Sequence, residues 1–395
     1  MQIKLPENVE LILNRLEENG HRADIVGGPV RDFLLGKIPD DYDITTSASP
    51  EETKRIFVEL RTVDTGIKHG TVSVIIDGAQ YEVTTYRIDG EYKDSRHPES
   101  VTFTKNIEED LRRRDFTMNA IAYSPKHGIT DPYGGREDTA LGIIRAVGEP
   151  ELRFTEDALR ILRGVRFAAT LGFRVEENTR CAMLKTRDLL KNVSVERIYV
   201  ELKKALSGKY SYENLSEFSE IILDIIPELS ALSLPEKTLY GAADYNARLI
   251  ALFYLNSPNP SESFAMAMKR LHTDSATREL GAKIIPLIDT ADTESDVGLT
   301  YILRDIGEEC AVTLVETRIL LGLSNENSRS RLDSLVKRGA VYRISDLKIN
   351  GKIIGALGAV GKQIGDILSS LLDSVIEGRI KNDEEELISA AKKML

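Results

Sequence analysis

The spacing of apolar residues changes character near Ser194. Before that point two periods alternate. Residues 7–19 repeat apolar positions every three to four residues, which predicts an amphipathic helix stopped by Gly20. Ser49-Pro50-Glu51-Glu52 is a capping box with proline at the first helical position, and it predicts a helix to about Leu60. Short runs at 63–65, 71–76 and 81–86 read as strands, with Asp77-Gly78 as the hairpin turn between the last two. Asp131-Pro132-Tyr133-Gly134-Gly135 is a turn that ends the mixed portion. Thr155 caps a predicted helix that runs to Gly172, with Leu159, Leu162, Val165 and Ala169 as its apolar stripe. Beyond Ser194 strands are hard to find. Helical spacing recurs over 195–206, 212–226, 239–255, 261–271, 274–289, 297–307, 308–321, 325–337, 364–377 and 384–394, separated by Pro, Gly, Ser and Asn. This predicts an α+β chain: a mixed front followed by a helical array without a repeat period. The glycine-rich stretch 351–365 has helical patterns around it and no Gly-Lys-Ser/Thr, so it reads as helix punctuation rather than a nucleotide loop.

Composition narrows this picture only slightly. A length of 395 residues predicts two to four domains. Two cysteines far apart, Cys181 and Cys310, suggest neither a disulfide framework nor a zinc site, and so a reducing compartment. The N-terminus reads as a charged amphipathic helix and not a signal peptide. No apolar run approaches the ~18 residues that span a membrane. The net charge of −11 argues against a protein that coats nucleic acid, yet residues 145–209 hold 14 Lys/Arg against 9 Asp/Glu.

The candidate chemistry begins at Ile25 to Thr45, IVGGPVRDFLLGKIPDDYDIT. It reads as strand, Gly27-Gly28 turn, short helix with Pro29 in its first turn, and a second strand. Free N–H groups after Gly28 offer an anion site that no Cβ obstructs. Asp41 and Asp43 are two apart, which on a strand aims both the same way. Paired carboxylates call for a cation, and Mg²⁺ takes oxygen ligands while holding substrate phosphates. Glu82, on the last strand of the hairpin, completes a three-acid site or stays an edge glutamate in water. Residues 87–100 are polar and turn-rich and read as a mobile loop. Residues 108–122, EEDLRRRDFTMNAIA, set three arginines before Asp115; such a run needs an anionic partner or forms a solvated basic face. Asp157, Arg160, Arg163 and Arg166 recur every three residues; an acid and an arginine so spaced bond each other or face a base edge. Arg163 and Arg166 have no acid one turn on, which leaves spare positive charge for phosphate.

Together, GGPVRDFLLG with DYD, YEVTTYR, RRDFTMNA, DPYGG and EDALRILRGVR resemble one family. It is the class II, bacterial-type tRNA nucleotidyltransferases, or CCA-adding enzymes, of the polymerase-β-like nucleotidyltransferase superfamily. The resemblance is strong to about Gly208 and looser beyond. It implies a mixed α/β nucleotidyltransferase head (1–139) followed by an all-helical neck (140–208), body (209–273) and tail (274–395), the neck reading nucleotide bases and the tail binding tRNA. It implies that Asp41 and Asp43 bind a two-metal Mg²⁺ site with Glu82 as third acid, and that Gly27, Gly28 and Arg31 contact the triphosphate. Arg114, Asp115 and Asn119 match the motif tied to sugar and phosphates, Asp157 and Arg160 the pair that reads CTP and ATP, and Arg163 and Arg166 further nucleotide contacts. Asp89, Gly90, Asp94 and Arg96 match the flexible loop, which favours full CCA addition over CC alone and leaves A-adding open. The implied reaction is attack of a tRNA 3′-hydroxyl on a nucleotide α-phosphorus, with the tRNA 3′ end and acceptor arm as partner, no protein partner, and a cytoplasmic setting. A poly(A) polymerase is disfavoured by the missing basic extension, and a non-catalytic RNA-binding protein by the intact Asp41 and Asp43.

Overall fold

Alternating apolar residues pair the early strands into one twisted sheet. In the computed structural model, which describes residues 3–90 and 100–395, helix α1 (Glu7–Glu18) leads into β1 (Ala23–Val26), α2 (Gly28–Leu34) and β2 (Ile44–Thr46). Next come α3 (Pro50–Ile56), β3 (Arg61–Gly66), β4 (Thr71–Ile76) and β5 (Ala79–Thr85). The ribbon β6 (Arg87–Asp89) and β7 (Val101–Phe103) precedes α4 (Ile107–Arg112), β8 (Ala122–Ser124), β9 (Gly128–Thr130) and α5 (Gly135–Leu141). The seven-stranded sheet runs β3-β4-β5-β2-β1-β8-β9. Its neighbours are antiparallel except β2 and β5, which run parallel with Ile44 opposite Val83.

Every residue of β1 and β2 is buried, because both faces of the sheet centre are covered. Ile25 and Ile44 join Ile12 and Leu16 of α1 and Phe57, just past the end of α3, on one side. Val26 turns the other way, to Tyr86, Leu111 and Val147. The predicted capping box at Ser49 is present, though α3 ends at Ile56 rather than near Leu60.

The helical segment that follows comprises β10 (Ile143–Ile144), α6 (Pro150–Glu156), α7 (Leu159–Leu171), β11 (Arg174–Val175), α8 (Glu177–Thr186), α9 (Val195–Ser207), α10 (Ser211–Glu217) and α11 (Ser219–Ile225). The helix predicted from Thr155 to Gly172 begins only at Leu159, and a separate helix that the sequence did not announce, α6, precedes it. Pro150 opens α6, inside which the Thr155 hydroxyl donates to the Glu151 carbonyl. Asp157 is extended (φ −139, ψ 101), and its Oδ1 accepts the Leu159 N–H at 3.1 Å. A short acceptor that captures a nearby N–H ends one helix and starts the next. These elements lie within the compact unit Met1–Ile225.

The second unit, Ile226–Leu395, contains α12 (Lys237–Ala242), α13 (Tyr245–Asn256), α14 (Pro260–Arg270), α15 (Ser275–Ile284) and α16 (Asp296–Ile306). It continues with α17 (Glu308–Leu320), α18 (Asn327–Lys337), α19 (Gly351–Ala356), α20 (Lys362–Ile376) and α21 (Glu384–Lys392). Side chains of Asp244, Asp274, Ser295, Asn350 and Asp383 cap five of them. The glycine-rich stretch is the junction of α19 and α20. Among the described residues no helix is long and apolar enough to cross a membrane.

Candidate active site

β1 ends at Val26, whose N–H donates to the Asp43 carbonyl at 3.0 Å. Gly27 then turns the chain with φ +80 and ψ −128 and donates its N–H to the Ile121 carbonyl at 3.0 Å. A Cβ at Gly27 would stand 3.1 Å from Arg114 Nη1, so glycine is required both by the left-handed φ and by the guanidinium beside it. Pro29 occupies the first turn of α2, as its missing N–H predicts.

Asp41 and Asp43 are exposed and sit just ahead of β2 rather than on it, which corrects the strand placement. The reason is that β1 has already turned away at Gly27, so the ladder begins only at Ile44. The extended backbone there still carries Asp43 beside Glu82, one residue before the Ile44–Val83 pair. Although the Asp43 side chain reaches solvent, the protein crowded around it displaces much of its water and pushes its carboxyl above the usual carboxylate range. Arg114 pulls it down, Asp41 and Glu82 push it further up, and Arg163 opposes them. Among the described residues no group of three or more His, Cys, Asp or Glu side chains is placed to hold a metal ion by itself. Asp41 and Asp43, like charges with Glu82 nearby, fit only a hard cation that takes most of its oxygen ligands from substrate and water.

Behind the carboxylates lies a network of guanidinium groups. Asp110 of α4 is fully buried and takes Arg113 Nη2 at 2.8 Å, Arg114 Nη2 at 3.3 Å and the Thr45 hydroxyl at 3.4 Å. Arg114 reaches from there toward Gly27 and Asp43, with its Nε buried and without a hydrogen-bond partner. Asp115 accepts the Phe116 N–H at 2.8 Å, Asn119 Nδ2 at 3.1 Å, and Arg163 through Nε at 2.8 Å and Nη2 at 2.7 Å. Burial alone would raise its carboxyl, but Arg163, Asn119 and Phe116 together hold it at about 2. Asn119 Oδ1 accepts Arg31 Nη1 at 2.9 Å, and Arg31 pairs with Asp32 at 2.8 Å. Phe167 lies beneath, with the Arg31, Arg163 and Arg166 guanidinium carbons 5.3, 5.4 and 3.8 Å from its ring centre.

One expectation about α7 needs correction. Arg163 and Arg166 have no spare charge: Asp115 neutralises the first, and Glu201 of α9, 2.6 Å from Arg166 Nε, neutralises the second. Of the two readings left open for Asp157 and Arg160, a bond between them is not made. Arg160 is buried and donates to Glu156 at 2.8 Å and to the Arg153 and Arg113 carbonyls at 3.2 and 2.8 Å. Asp157 Oδ2 is held by Arg197 of α9 at 3.1 Å. The predicted loop at 87–100 is at its ends a two-stranded ribbon, closed by the Gly90 N–H on the Ser100 carbonyl at 2.9 Å. Asp89 on that ribbon pairs with Arg87 at 3.1 Å and stands 3.9 Å from Arg113. Asp94 and Arg96 lie outside the described residues.

This geometry has known counterparts. Residues 23–145 match the model of the Poly A polymerase head domain, 172–232 that of the Probable RNA and SrmB-binding site of polymerase A, and 246–391 a tRNA nucleotidyltransferase domain 2. A CCA-adding enzyme of Enterococcus faecalis is 38% identical over 97% of this chain and 94% of its own length. The chain belongs to the CCA-adding enzymes. One from Geobacillus thermodenitrificans is 37% identical over 95% of this chain and 94% of its own. The crystal structure of the Bacillus stearothermophilus CCA-adding enzyme in complex with CTP superposes with a TM-score of 0.81 at 33% identity, covering 99% of this chain and 98% of that one. As a member of this family the chain is a tRNA nucleotidyltransferase. For a CCA-adding chain the sequence reading found most of the cluster but missed Asp110, Phe167, Arg197 and Glu201. Asp110 was detectable, since it precedes Arg113 and Arg114 by one helical turn. Arg197 and Glu201 meet their partners across two helices, and nothing in local spacing signals that.

Proposed function

We propose that this chain builds the 3′-terminal CCA of tRNA from CTP and ATP without a nucleic-acid template, and that the cluster around Asp43 is where each nucleotide joins. The observation that carries this is the placement of Asp43, Asp41 and Glu82 beside Arg114 and the Gly27 turn, against the Asp115–Asn119–Arg31 chain. Asp41 and Asp43 hold Mg²⁺ and Glu82 adds a third carboxylate. When bound, the ion supplies charge stabilisation to the reacting phosphate oxygens. Gly27 and Gly28 leave room for the triphosphate, and Arg31 and Arg114 neutralise its charge. Asp115 and Asn119 face the sugar. The tRNA 3′-hydroxyl attacks the α-phosphorus, a new P–O bond forms, and the bond to the β,γ-pyrophosphate breaks, with Arg31 and Arg114 stabilising the leaving group.

Asp157 and Arg160 read the base, with Arg163 and Arg166 shaping the wall beneath it. In this arrangement their polar groups are engaged by Arg197 and Glu156, so admitting a base exchanges one set of hydrogen bonds for another. A wrong base edge leaves those groups unpaired, which is a strong basis for rejection. Arg160→Ala relaxes base choice more than it slows total incorporation; equal loss for all four nucleotides would count against this role. The four-part division (head 1–139, neck 140–208, body 209–273, tail 274–395) assigns tRNA binding to the tail, and the two free cysteines support a cytoplasmic setting. The test is primer extension with Mg²⁺ on tRNAs ending at the discriminator base, at C or at CC. All three should reach CCA and stop. Extension of the CC-ended tRNA alone would make it an A-adding enzyme, and long A tails a poly(A) polymerase.

A further inference from the structure

Phe167 is buried beneath the arginines of the candidate site, and the chemistry proposed above gives it no part. We propose that Phe167 is a positioning residue for Arg31. Its ring holds the Arg31 guanidinium by the π face while that arginine exchanges a protein carboxylate for the nucleotide triphosphate. This rests on the reading of Arg31 as a triphosphate contact.

The first argument is where the cations come from. An arginine within about 6 Å of a ring centre is attracted by the negative face of the ring. Arg166 directly precedes Phe167 and Arg163 lies one turn before it, so α7 alone brings those two to the ring. Arg31 belongs to α2, far away in the sequence, and no local spacing requires it there. The fold nonetheless sets its guanidinium carbon 5.3 Å from the ring centre.

The second is what Arg31 gives up when phosphate arrives. Its other partners are Asp32 at 2.8 Å and Asn119 Oδ1 at 2.9 Å. Asp32 is the next residue in the chain, and its side chain is 25% exposed. A phosphate that takes Arg31 competes with that carboxylate for the same donors. The ring is a partner that the exchange leaves alone. It carries no net charge, so it neither competes with phosphate nor lets go when Asp32 is displaced. Arg163 and Arg166 differ in this respect, because the buried carboxylates of Asp115 and Glu201 hold them at 2.7 and 2.6 Å.

The third argument is that the ring itself is fixed. Phe167 packs at right angles to Phe116, with ring centres 5.9 Å apart and planes at 88°. Phe116 follows Asp115 in the chain and is fully buried. A Cβ on Gly164 would stand 3.2 Å from Phe116 Cζ and 3.2 Å from the Met183 sulfur, so this layer has no slack. A ring packed this tightly presents the same face before and after a nucleotide binds. Exclusion of water from the layer strengthens the attraction it offers.

The test uses the full chain with CTP and ATP, on tRNAs ending at the discriminator base and at CC. Phe167→Leu keeps an apolar side chain and removes the ring. It should raise the KM for CTP and for ATP about fivefold each and leave the KM for tRNA within about twofold. Leucine also alters the packing, so a second series keeps the shape. Phenylalanine with one, two or five ring fluorines, incorporated at 167, weakens and then reverses the negative face of the ring. The nucleotide KM should climb with each step while the melting temperature holds. A KM that ignores the fluorines would overturn the inference and leave Phe167 a packing residue. The route through Arg31 is read from a double-mutant cycle. On an Arg31→Ala background, Phe167→Leu should raise the nucleotide KM by less than about twofold. A full fivefold rise there would send the effect through Arg163 or Arg166 and would also overturn the inference. Arg31→Ala alone should raise the KM for both nucleotides. If that constant does not move, the reading of Arg31 as a triphosphate contact fails, and the inference falls with it whatever the fluorine series shows.

Discussion

Asp115 shows how single residues set the electrostatics of this site. Its carboxyl is held at about 2 by Arg163, Asn119 and Phe116 despite burial, against about 3.9 in an unfolded chain. Because the folded value is the lower one, the ionised group stabilises the fold above about pH 4, and that contribution fades as the pH falls toward 2. Asp115→Asn should therefore cost roughly 2–3 kcal/mol at pH 7, and its difference from wild type should close near pH 2, as read by urea unfolding at stepped pH. Asp43 has the opposite character. Lost hydration first, and the like charges of Asp41 and Glu82 after it, disfavour its ionised form, so Asp43→Asn should leave the melting temperature equal or higher. With the metal-binding role proposed for Asp43, the same change should lower nucleotide incorporation by about a thousandfold, a loss of several kcal/mol in the transition state. A variant that loses activity only in step with its folding would remove Asp43 from the reaction.

Elements position these residues through close backbone contacts. The turn from Asp131 to Gly135 reads in the sequence as a stop, but its structural task is to seat α5 on the 3₁₀ turn Thr117–Asn119, between Asp115 and β8. The Gly135 N–H donates to Asp131 Oδ1 at 2.7 Å, and the Thr117 hydroxyl donates to Asp138 of α5 at 2.6 Å. A Cβ on Gly135 would lie 2.0 Å from the Thr117 carbonyl oxygen. Gly135→Ala should destabilise the chain by about 1–3 kcal/mol and raise the KM for CTP, measured by thermal melting and initial rates. The break between α6 and α7 belongs to the same scale. The predicted stripe starts at Leu159 with Thr155 as the expected cap, because spacing records which face is buried and not which N–H a carboxylate captures. The ribbon at 87–89 and 101–103 escaped notice for a related reason: three-residue strands carry too little pattern to rise above a polar, turn-rich segment.

At the scale of the whole molecule, the candidate site is contained in the unit Met1–Ile225, and Ile226–Leu395 has its own cores, one of them formed by α19, α20 and α21. Nucleotide binding and tRNA binding should accordingly separate under mutation. Gly281 faces Phe264, and a Cβ there would stand 2.1 Å from the ring. Gly281→Ala should loosen the second unit, raising the KM for tRNA while leaving the KM for CTP within about twofold, because overpacking of about 1–3 kcal/mol acts where it is introduced. Equal rises in both constants would show the two units to be coupled in nucleotide binding.

The sequence by itself determined the class of fold, the carboxylate pair after the Gly27 turn, the RRDFTMNA cluster and the helical character beyond Ser194. Each is a local signal: a periodicity, a cap, a glycine with no Cβ, or two like charges in need of a cation. Only the tertiary structure decided which charges remain available. Arg163 and Arg166 look unpaired along α7 and are neutralised by Asp115 and Glu201. Asp157 and Arg160 look like partners and instead hold Arg197 and Glu156. Coulomb attraction depends on distance in space, and residues 35 to 48 positions apart are brought within 3.1 Å by packing that no local pattern encodes.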